Sequence, residues 1–472
     1  MGFTFERFYL ACLSHASYLV GSEGIAAVID PQRDVDVYLQ TAAERGLEIR
    51  HVIETHLHAD FVSGHLELAE RIGARIHIGE RAGARFAHMP VRDGDELRFG
   101  RAVLKFLETP GHTLESICIL VTDLDRSPDP FAILTGDTLF IGDVGRPDVS
   151  PGRAPQELAG MLYDSLHRKL WPLPDHIEVY PAHGAGSLCG RAISSERKST
   201  IGVERATNYA FRALDRESFI ELVTADLPQR PAYFLNDVEL NRAGARALRN
   251  LGPLPALDAE VVLRLQRSGA IVLDTRPAAD FCAAHAPRSI QIGLSGQYAS
   301  WAGVLLPWDA TIVLVAAGEG AASESRMRLA RVGLEGVAGY LGGGIAGWVS
   351  AGLPVTQIAQ ISGEELHRRM RAEPDLQTLD VRTSAEWQNG YVPGAMHKPL
   401  HSLKNILGGL NPAQPTAVYC KSGYRSTIAA SLLQASGFDQ VMNVTGGFDG
   451  WRLCGLPVEF PGTASSGSPA SS

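Results

Sequence analysis

The feature that most constrains this fold is a duplication in the C-terminal half. Leu273-Asp274-Thr275-Arg276 returns as Leu379-Asp380-Val381-Arg382. Gly343-Gly344-Ile345-Ala346-Gly347-Trp348, followed by Gly352-Leu353-Pro354-Val355, returns as Gly446-Gly447-Phe448-Asp449-Gly450-Trp451, followed by Gly455-Leu456-Pro457-Val458. A spacing of about 100 residues is that of a domain, not of a solenoid repeat, so this half is expected to hold two copies of one α/β unit. The copies are placed at 257–356 and 360–459. The segment 460–472, mostly Ser, Ala, Gly, Thr and Pro, is expected to be a disordered tail.

The first 245 residues form a further domain in which β-branched runs alternate with helical spacing. Strands are expected at 25–31, stopped by Pro31, and at 52–55, 74–78 and 96–107, helices at 37–46 and 61–73, and a turn at Asp93-Gly94-Asp95. This pattern points to sheets covered by helices. Prolines 228, 231, 253 and 255 cluster between 226 and 257, which reads as a surface linker. The net charge of −9 is spread without a basic stripe, which argues against nucleic acid. No run approaches the ~20 apolar residues of a membrane span. The opening residues lack a signal-peptide layout, and the six cysteines form no CxxC pair; reduced thiols and a cytoplasmic location are expected.

Chemistry concentrates in a few segments. Thr55-His56-Leu57-His58-Ala59-Asp60-Phe61 leaves the predicted strand at 52–55. Two imidazoles and a carboxylate there are ligands that zinc or iron prefers. Thr109-Pro110-Gly111-His112-Thr113, Thr135-Gly136-Asp137-Thr138 and Tyr180-Pro181-Ala182-His183-Gly184 each set another donor beside Gly or Pro, where a strand-end turn exposes it.

The ordered set resembles the metallo-β-lactamase fold, an αββα sandwich, and within it the glyoxalase II-like branch. Binuclear zinc hydrolases of that branch have a His where this chain has Phe61. Its loss favours a single metal, as in the persulfide dioxygenases. That resemblance implies one Fe(II) held by His56, His112 and Asp137, with His58, Asp60 and His183 orienting the ligands. Zinc is the alternative cation. Gly145-Arg146-Pro147-Asp148 resembles a stretch that follows the metal Asp in those dioxygenases; Arg146 either steers an anionic thiol substrate or pairs with Asp148 to brace a loop. The segment 199–210 resembles one found in bacterial dioxygenase fusions.

In the second repeat, the predicted strand Thr416-Ala417-Val418-Tyr419 delivers Cys420 to the loop Lys421-Ser422-Gly423-Tyr424-Arg425, and a helix follows. Successive backbone N–H groups in such a loop make an anion nest, which favours a reactive thiolate. With the Asp-x-Arg and Gly-Gly-Trp segments, this resembles a rhodanese domain, in which the Cys carries a persulfide. Four residues between Cys420 and Arg425 are too few for a tyrosine phosphatase loop, and Lys421 and Arg425 suit a small sulfur anion. The first repeat has alanine (Ala316 or Ala317) at the Cys position and no matching Arg, so it is expected to be non-catalytic.

Together these resemblances imply a fusion of a persulfide dioxygenase with two rhodanese domains. Its expected partners are a low-molecular-weight persulfide (glutathione or coenzyme A), dioxygen, and thiosulfate or sulfite, and the reading allows a homodimer. The competing expectation is a zinc thioester hydrolase of the glyoxalase II kind fused to a rhodanese.

Overall fold

The β-branched runs of the first half pair into two six-stranded sheets. In the computed structural model, which describes residues 2–213, 215–225, 227, 229–403 and 407–461, the chain divides into two units. The first comprises Met1–Gly252, Ala302–Trp308 and Met327–Glu335; the second comprises Pro253–Trp301, Asp309–Arg326 and Gly336–Ser472.

In the first unit, one sheet contains Thr4–Leu10, His15–Ser22, Ile25–Ile29, Glu48–Glu54, Arg75–Gly79 and Met89–Val91 (β1–β6), in sequence order. The other contains Glu96–Phe99, Ala102–Glu108, Ile117–Asp123, Ala132–Gly136, Glu178–Pro181 and Ser199–Thr200 (β7–β12), also in sequence order. Alternation along the strands sends Tyr18, Val20, Ile29 and Ile53 inward to meet Leu104, Phe106, Ile119 and Leu134. Outside β1–β6, helices Asp36–Glu44 and His65–Ile72 set Tyr38, Ala42 and Leu68 against Leu19, Val28 and Val52. Outside β7–β12, helices Pro155–Ser165 and Arg216–Thr224 set Ala159, Leu162, Phe219 and Val223 against Ile133 and Val179. The result is the αββα sandwich.

Three sequence expectations change. The helix expected at 61–73 is His65–Ile72. Tertiary bonds hold its first residues out of the helix: Val62 N donates to Arg331 O at 2.7 Å and Ser63 N to Asn241 Oδ1 at 2.8 Å. The run at 96–107 is a hairpin that turns at Gly100, where φ is +53°. The expected linker contains the helix Tyr233–Ala243, which buries Tyr233, Phe234, Val238 and Asn241. Asp226 and Pro228 of that stretch, and 462–472 of the expected tail, lie outside the described residues.

The second unit holds two five-stranded parallel sheets. Strands Ala256–Leu257, Ile271–Asp274, Ile290–Gln291, Ile312–Val315 and Val337–Leu341 (β13–β17) take the order β13-β17-β16-β14-β15. Strands Ala359–Ile361, Gln377–Asp380, Met396–His397, Thr416–Tyr419 and Val441–Val444 (β18–β22) take the matching order β18-β22-β21-β19-β20. The repeated sequence segments do the same work in each copy. Arg276 pairs with buried Asp274, and Arg382 with buried Asp380. Trp348 Nε1 donates to Pro354 O at 2.8 Å, and Trp451 Nε1 to Pro457 O at 2.7 Å. Among the described residues, no helix is long and apolar enough to cross a membrane.

Candidate metal centre and sulfur-transfer loop

Strand ends of the first unit converge on one buried cluster. His56 leaves β4, His112 lies between β8 and β9, and Asp137 follows β10. Their ligand atoms lie within 4.8 Å of one another. His56 Nε2 is 3.8 Å and His112 Nε2 3.4 Å from Asp137 Oδ2, and none of these three atoms has a hydrogen-bond partner. Buried polar atoms are normally satisfied, so three orphans facing one point are what a cation would complete.

The remaining atoms of each candidate ligand are pinned. His56 Nδ1 is 3.0 Å from Thr55 Oγ1, and His112 Nδ1 donates to Arg146 O at 2.9 Å. Thr55 is itself held by Asp30, which accepts its N–H at 2.7 Å and its hydroxyl at 2.8 Å. Gly145 must lack a side chain here, since a Cβ would lie 2.7 Å from His112 Nδ1 and 2.1 Å from Asp137 O. Burial, reinforced by the neighbouring His58, pushes His56 well below the ordinary imidazole range; burial also lowers His112. Both rings are therefore neutral donors. Burial works to raise Asp137, but His183, itself pushed well above the ordinary imidazole range and hydrogen-bonded to it, outweighs burial and keeps the carboxylate ionised. Two neutral imidazoles and an anionic carboxylate suit a divalent transition metal.

The sequence-predicted supporting residues lie around this triad. His183 Nδ1 is 2.7 Å from Asp137 Oδ1, and its Nε2 is 2.9 Å from Asp60 Oδ2. His183 thus links the expected ligand to Asp60. His58 Nε2 turns toward Asp30 Oδ1 at 3.1 Å and Glu54 Oε2 at 3.4 Å. Phe61 is fully buried, its ring 4.4 Å from His58 and 4.1 Å from His15, and fills this space with hydrocarbon. Arg146 takes the bracing option: Nε and Nη2 bind Asp148 at 2.6 and 2.9 Å, and Nη1 donates to Leu188 O at 3.3 Å. In the segment 199–210, Asn208 Nδ2 donates to Asp143 O at 3.1 Å and the Tyr209 hydroxyl to Asp143 Oδ1 at 2.8 Å. That segment fastens the loop after Asp137.

Sequence reasoning missed two residues here. Asn241 donates through Nδ2 to His58 O and Phe61 O, both at 2.8 Å, while its Oδ1 accepts from Ser63 N. Only its long-range placement reveals this clamp; nothing local in the sequence signals it. Cys189 groups with Asp60 and His183 within 4.8 Å. Burial, with Asp60 and Asp137 nearby, pushes its thiol well above the ordinary range, so it is protonated.

In the second unit, Cys420 follows β21 and is buried, and Gly423 N donates to its Sγ at 3.0 Å. Gly423 has φ +119°, a conformation that favours glycine, and the helix Tyr424–Ala435 starts directly after it. Arg425 is therefore the second helical residue. Its Nη1 and Nη2 bind the two oxygens of Glu386 at 2.7 Å each, a partner that the sequence reading lacked. The local signal was Thr383-x-x-Glu386, a capping box on helix Ser384–Gln388. Tyr424 donates its hydroxyl to Gly293 O at 2.8 Å, while Lys421 and Ser422 are exposed. In the first copy Ala316 follows β16 directly, and only Ala317 separates it from Gly318, whose φ is +125°. That loop is one residue shorter and has no thiol.

Known proteins agree with this architecture. The family model of the metallo-beta-lactamase superfamily matches residues 10–183, and that of the rhodanese-like domain matches 258–351 and 362–454. The chain belongs to the metallo-beta-lactamase superfamily and joins a domain of that kind to two rhodanese-like domains. More particularly, it is 33% identical over 189 residues to the mitochondrial persulfide dioxygenase ETHE1 of Bos taurus, covering 38% of this chain and 68% of that protein. A sulfurtransferase of Allochromatium vinosum is 32% identical over 22% of this chain and 97% of its own length. A hydroxyacylglutathione hydrolase of Rhizobium etli is 31% identical over 41% of this chain and 79% of its own. Among solved structures, a metallo-beta-lactamase from Staphylococcus aureus superposes with a TM-score of 0.65 at 32% identity, covering 72% of this chain and 99% of that one.

Proposed function

We propose that this protein is an iron-dependent persulfide dioxygenase fused to a sulfurtransferase. The observation that carries the reading is the set of orphaned atoms His56 Nε2, His112 Nε2 and Asp137 Oδ2, beside the buried ring of Phe61, which fills the adjoining space with hydrocarbon. When bound there, Fe(II) would supply open positions for dioxygen and a persulfide sulfur, and redox chemistry that yields sulfite and the free thiol. The chain's own residues do the rest. Thr55 and the Arg146 carbonyl fix the two rings so that Nε2 faces the cation. His183 holds Asp137 Oδ1, leaving Oδ2 for ligation, and Asp60 holds His183 in turn. Cys420 would carry sulfane sulfur between thiosulfate and a thiol, making or consuming the same persulfide; one chain holding both sites raises the local concentration of that intermediate. A cytoplasmic setting, with glutathione or coenzyme A as carrier, suits this chemistry.

The test is oxygen uptake with glutathione persulfide after anaerobic iron loading. Stoichiometric oxygen consumption with sulfite release supports the reading; turnover indifferent to oxygen defeats it. The match to hydroxyacylglutathione hydrolases favours one second reading, a zinc thioesterase. Hydrolysis of S-lactoylglutathione by the zinc-loaded protein, with no oxygen uptake by the iron form, would establish it instead.

A further inference from the structure

The Cys420 loop carries two cations, Lys421 and Arg425, and the structure treats them differently. Lys421 is exposed to solvent and screened by salt. Arg425 presents both terminal nitrogens of its fork to the carboxylate of Glu386, in a bidentate pair whose side chains are only 17% and 28% exposed. Glu386 is not free to swing away. Its Oε2 also accepts from Thr383 N and Thr383 Oγ1, both at 3.0 Å, within the capping box. Burial works to raise the Glu386 carboxyl, but the Arg425 bonds and the Thr383 N–H outweigh it and bring it down to about 2. The carboxylate is therefore charged at every physiological pH, and a guanidinium locked to it presents a dipole rather than a net charge to the thiol.

We propose that Glu386 sets the donor specificity of the Cys420 site. By occupying Arg425 it removes the cation that a dianionic sulfane donor such as thiosulfate needs, and it leaves the loop suited to donors with less charge at the transferable sulfur, organic persulfides and monoanionic thiosulfonates among them. The inference rests on the reading of Cys420 as the sulfur carrier. In that step the Cys420 thiolate attacks the outer sulfur of the donor and an Sγ–S bond forms. The donor's S–S bond breaks, and its electron pair leaves with sulfite from thiosulfate, with a sulfinate from a thiosulfonate, or with a thiolate from a persulfide. The leaving groups from thiosulfate and from a thiosulfonate differ by one unit of charge, so the two donors report the local field directly.

The experiment uses the full chain, thiosulfate and benzenethiosulfonate as donors, and cyanide as a common acceptor. Glu386→Gln keeps the capping box, since glutamine still accepts from Thr383, and frees the charge of Arg425. With a lone guanidinium within about 6 Å of a dianion, kcat/KM for thiosulfate is expected to rise by roughly tenfold, mainly through KM. The benzenethiosulfonate value should rise by about threefold or less. The salt dependence of the thiosulfate reaction should steepen in the same variant. A double variant, Glu386→Gln with Arg425→Gln, removes both charges and should return the donor ratio to within about twofold of wild type. A donor ratio unchanged in a folded Glu386→Gln protein overturns the proposal and leaves Cys420 as carrier. A wild-type chain that transfers sulfur from neither donor overturns both.

Discussion

Replacing Asn241 with alanine tests whether the candidate metal loop is held from outside its own sequence. The side chain makes three buried hydrogen bonds of 2.8 Å, to His58 O, Phe61 O and Ser63 N. Truncation leaves two carbonyls and one N–H without partners in a region where His58, Phe61 and Ser63 are all buried. Each orphaned group costs about 1–3 kcal/mol, but the loop relaxes and water enters the vacated space, so the lower half of the sum applies: about 3–6 kcal/mol. For a unit of some 250 residues this lowers the midpoint by roughly 6–24 °C. Scanning calorimetry of the full chain is the assay. The transition of the N-terminal unit should move while that of the second unit stays, because the two need not unfold together. Metal content after dialysis against a weak chelator should fall in parallel. The exposed substitution Gln40→Ala, which removes only a surface bond to Glu44, serves as control and should stay within about 0.5 kcal/mol. A shift below about 1 kcal/mol for Asn241→Ala would refute the reasoning.

Three further outcomes are expected. Phe61→His places an imidazole beside His58 and His183, so metal binding should rise from one to about two equivalents by elemental analysis while oxygen uptake falls; unchanged stoichiometry counts against Phe61 as the group that excludes a second cation. Gly423→Ala meets no atom within 4 Å but must hold φ near +119°, so it should cost about 1–2 kcal/mol in denaturant titration and depress sulfur transfer, with no steric term. Glu386 has a folded pKa of about 2 against 4.5, so its pairing stabilises fully above the unfolded value and is lost as pH falls through the folded one. Discounted for partial exposure this is about 1–2 kcal/mol, a loss between roughly pH 4.5 and 2 that the Glu386→Gln variant should not show.

What the sequence revealed and what it withheld follow one physical division. His56, His112 and Asp137 were legible because each sits at a strand end beside the Gly, Pro or Thr that builds an exposing turn. The duplicated Asp-x-Arg and Gly-Trp segments were legible because their bonds are local: Arg382 binds an aspartate two residues away, and Trp451 a carbonyl six residues away. Partners supplied from distant sequence were not. Glu386 lies 39 residues before Arg425, and Asn241 lies 180 residues beyond Phe61. The shortened helix at His65 belongs with these, since helical spacing at 61–64 yields to tertiary bonds and to the tight approach of Gly64 to Gln32 O. In the linker, the helix Tyr233–Ala243 buries Asp237 and Asn241 and exposes Leu235, so its sequence has little apolar periodicity to set against the surrounding prolines.

The N-terminal unit includes Met327–Glu335, a stretch that reads in sequence as the interior of the first repeat. From it Arg331 accepts the Val62 N–H on its carbonyl and grips Asp34 at 2.7 and 2.8 Å, while Glu335 takes up the buried Arg33. A chain ending at residue 252 would therefore lose the bond from Val62, next to the segment that carries His56 and His58, and the ion pairs of Arg33 and Asp34 in the loop after β3. A single cut after residue 252 thus leaves the N-terminal unit without two of its three chain segments.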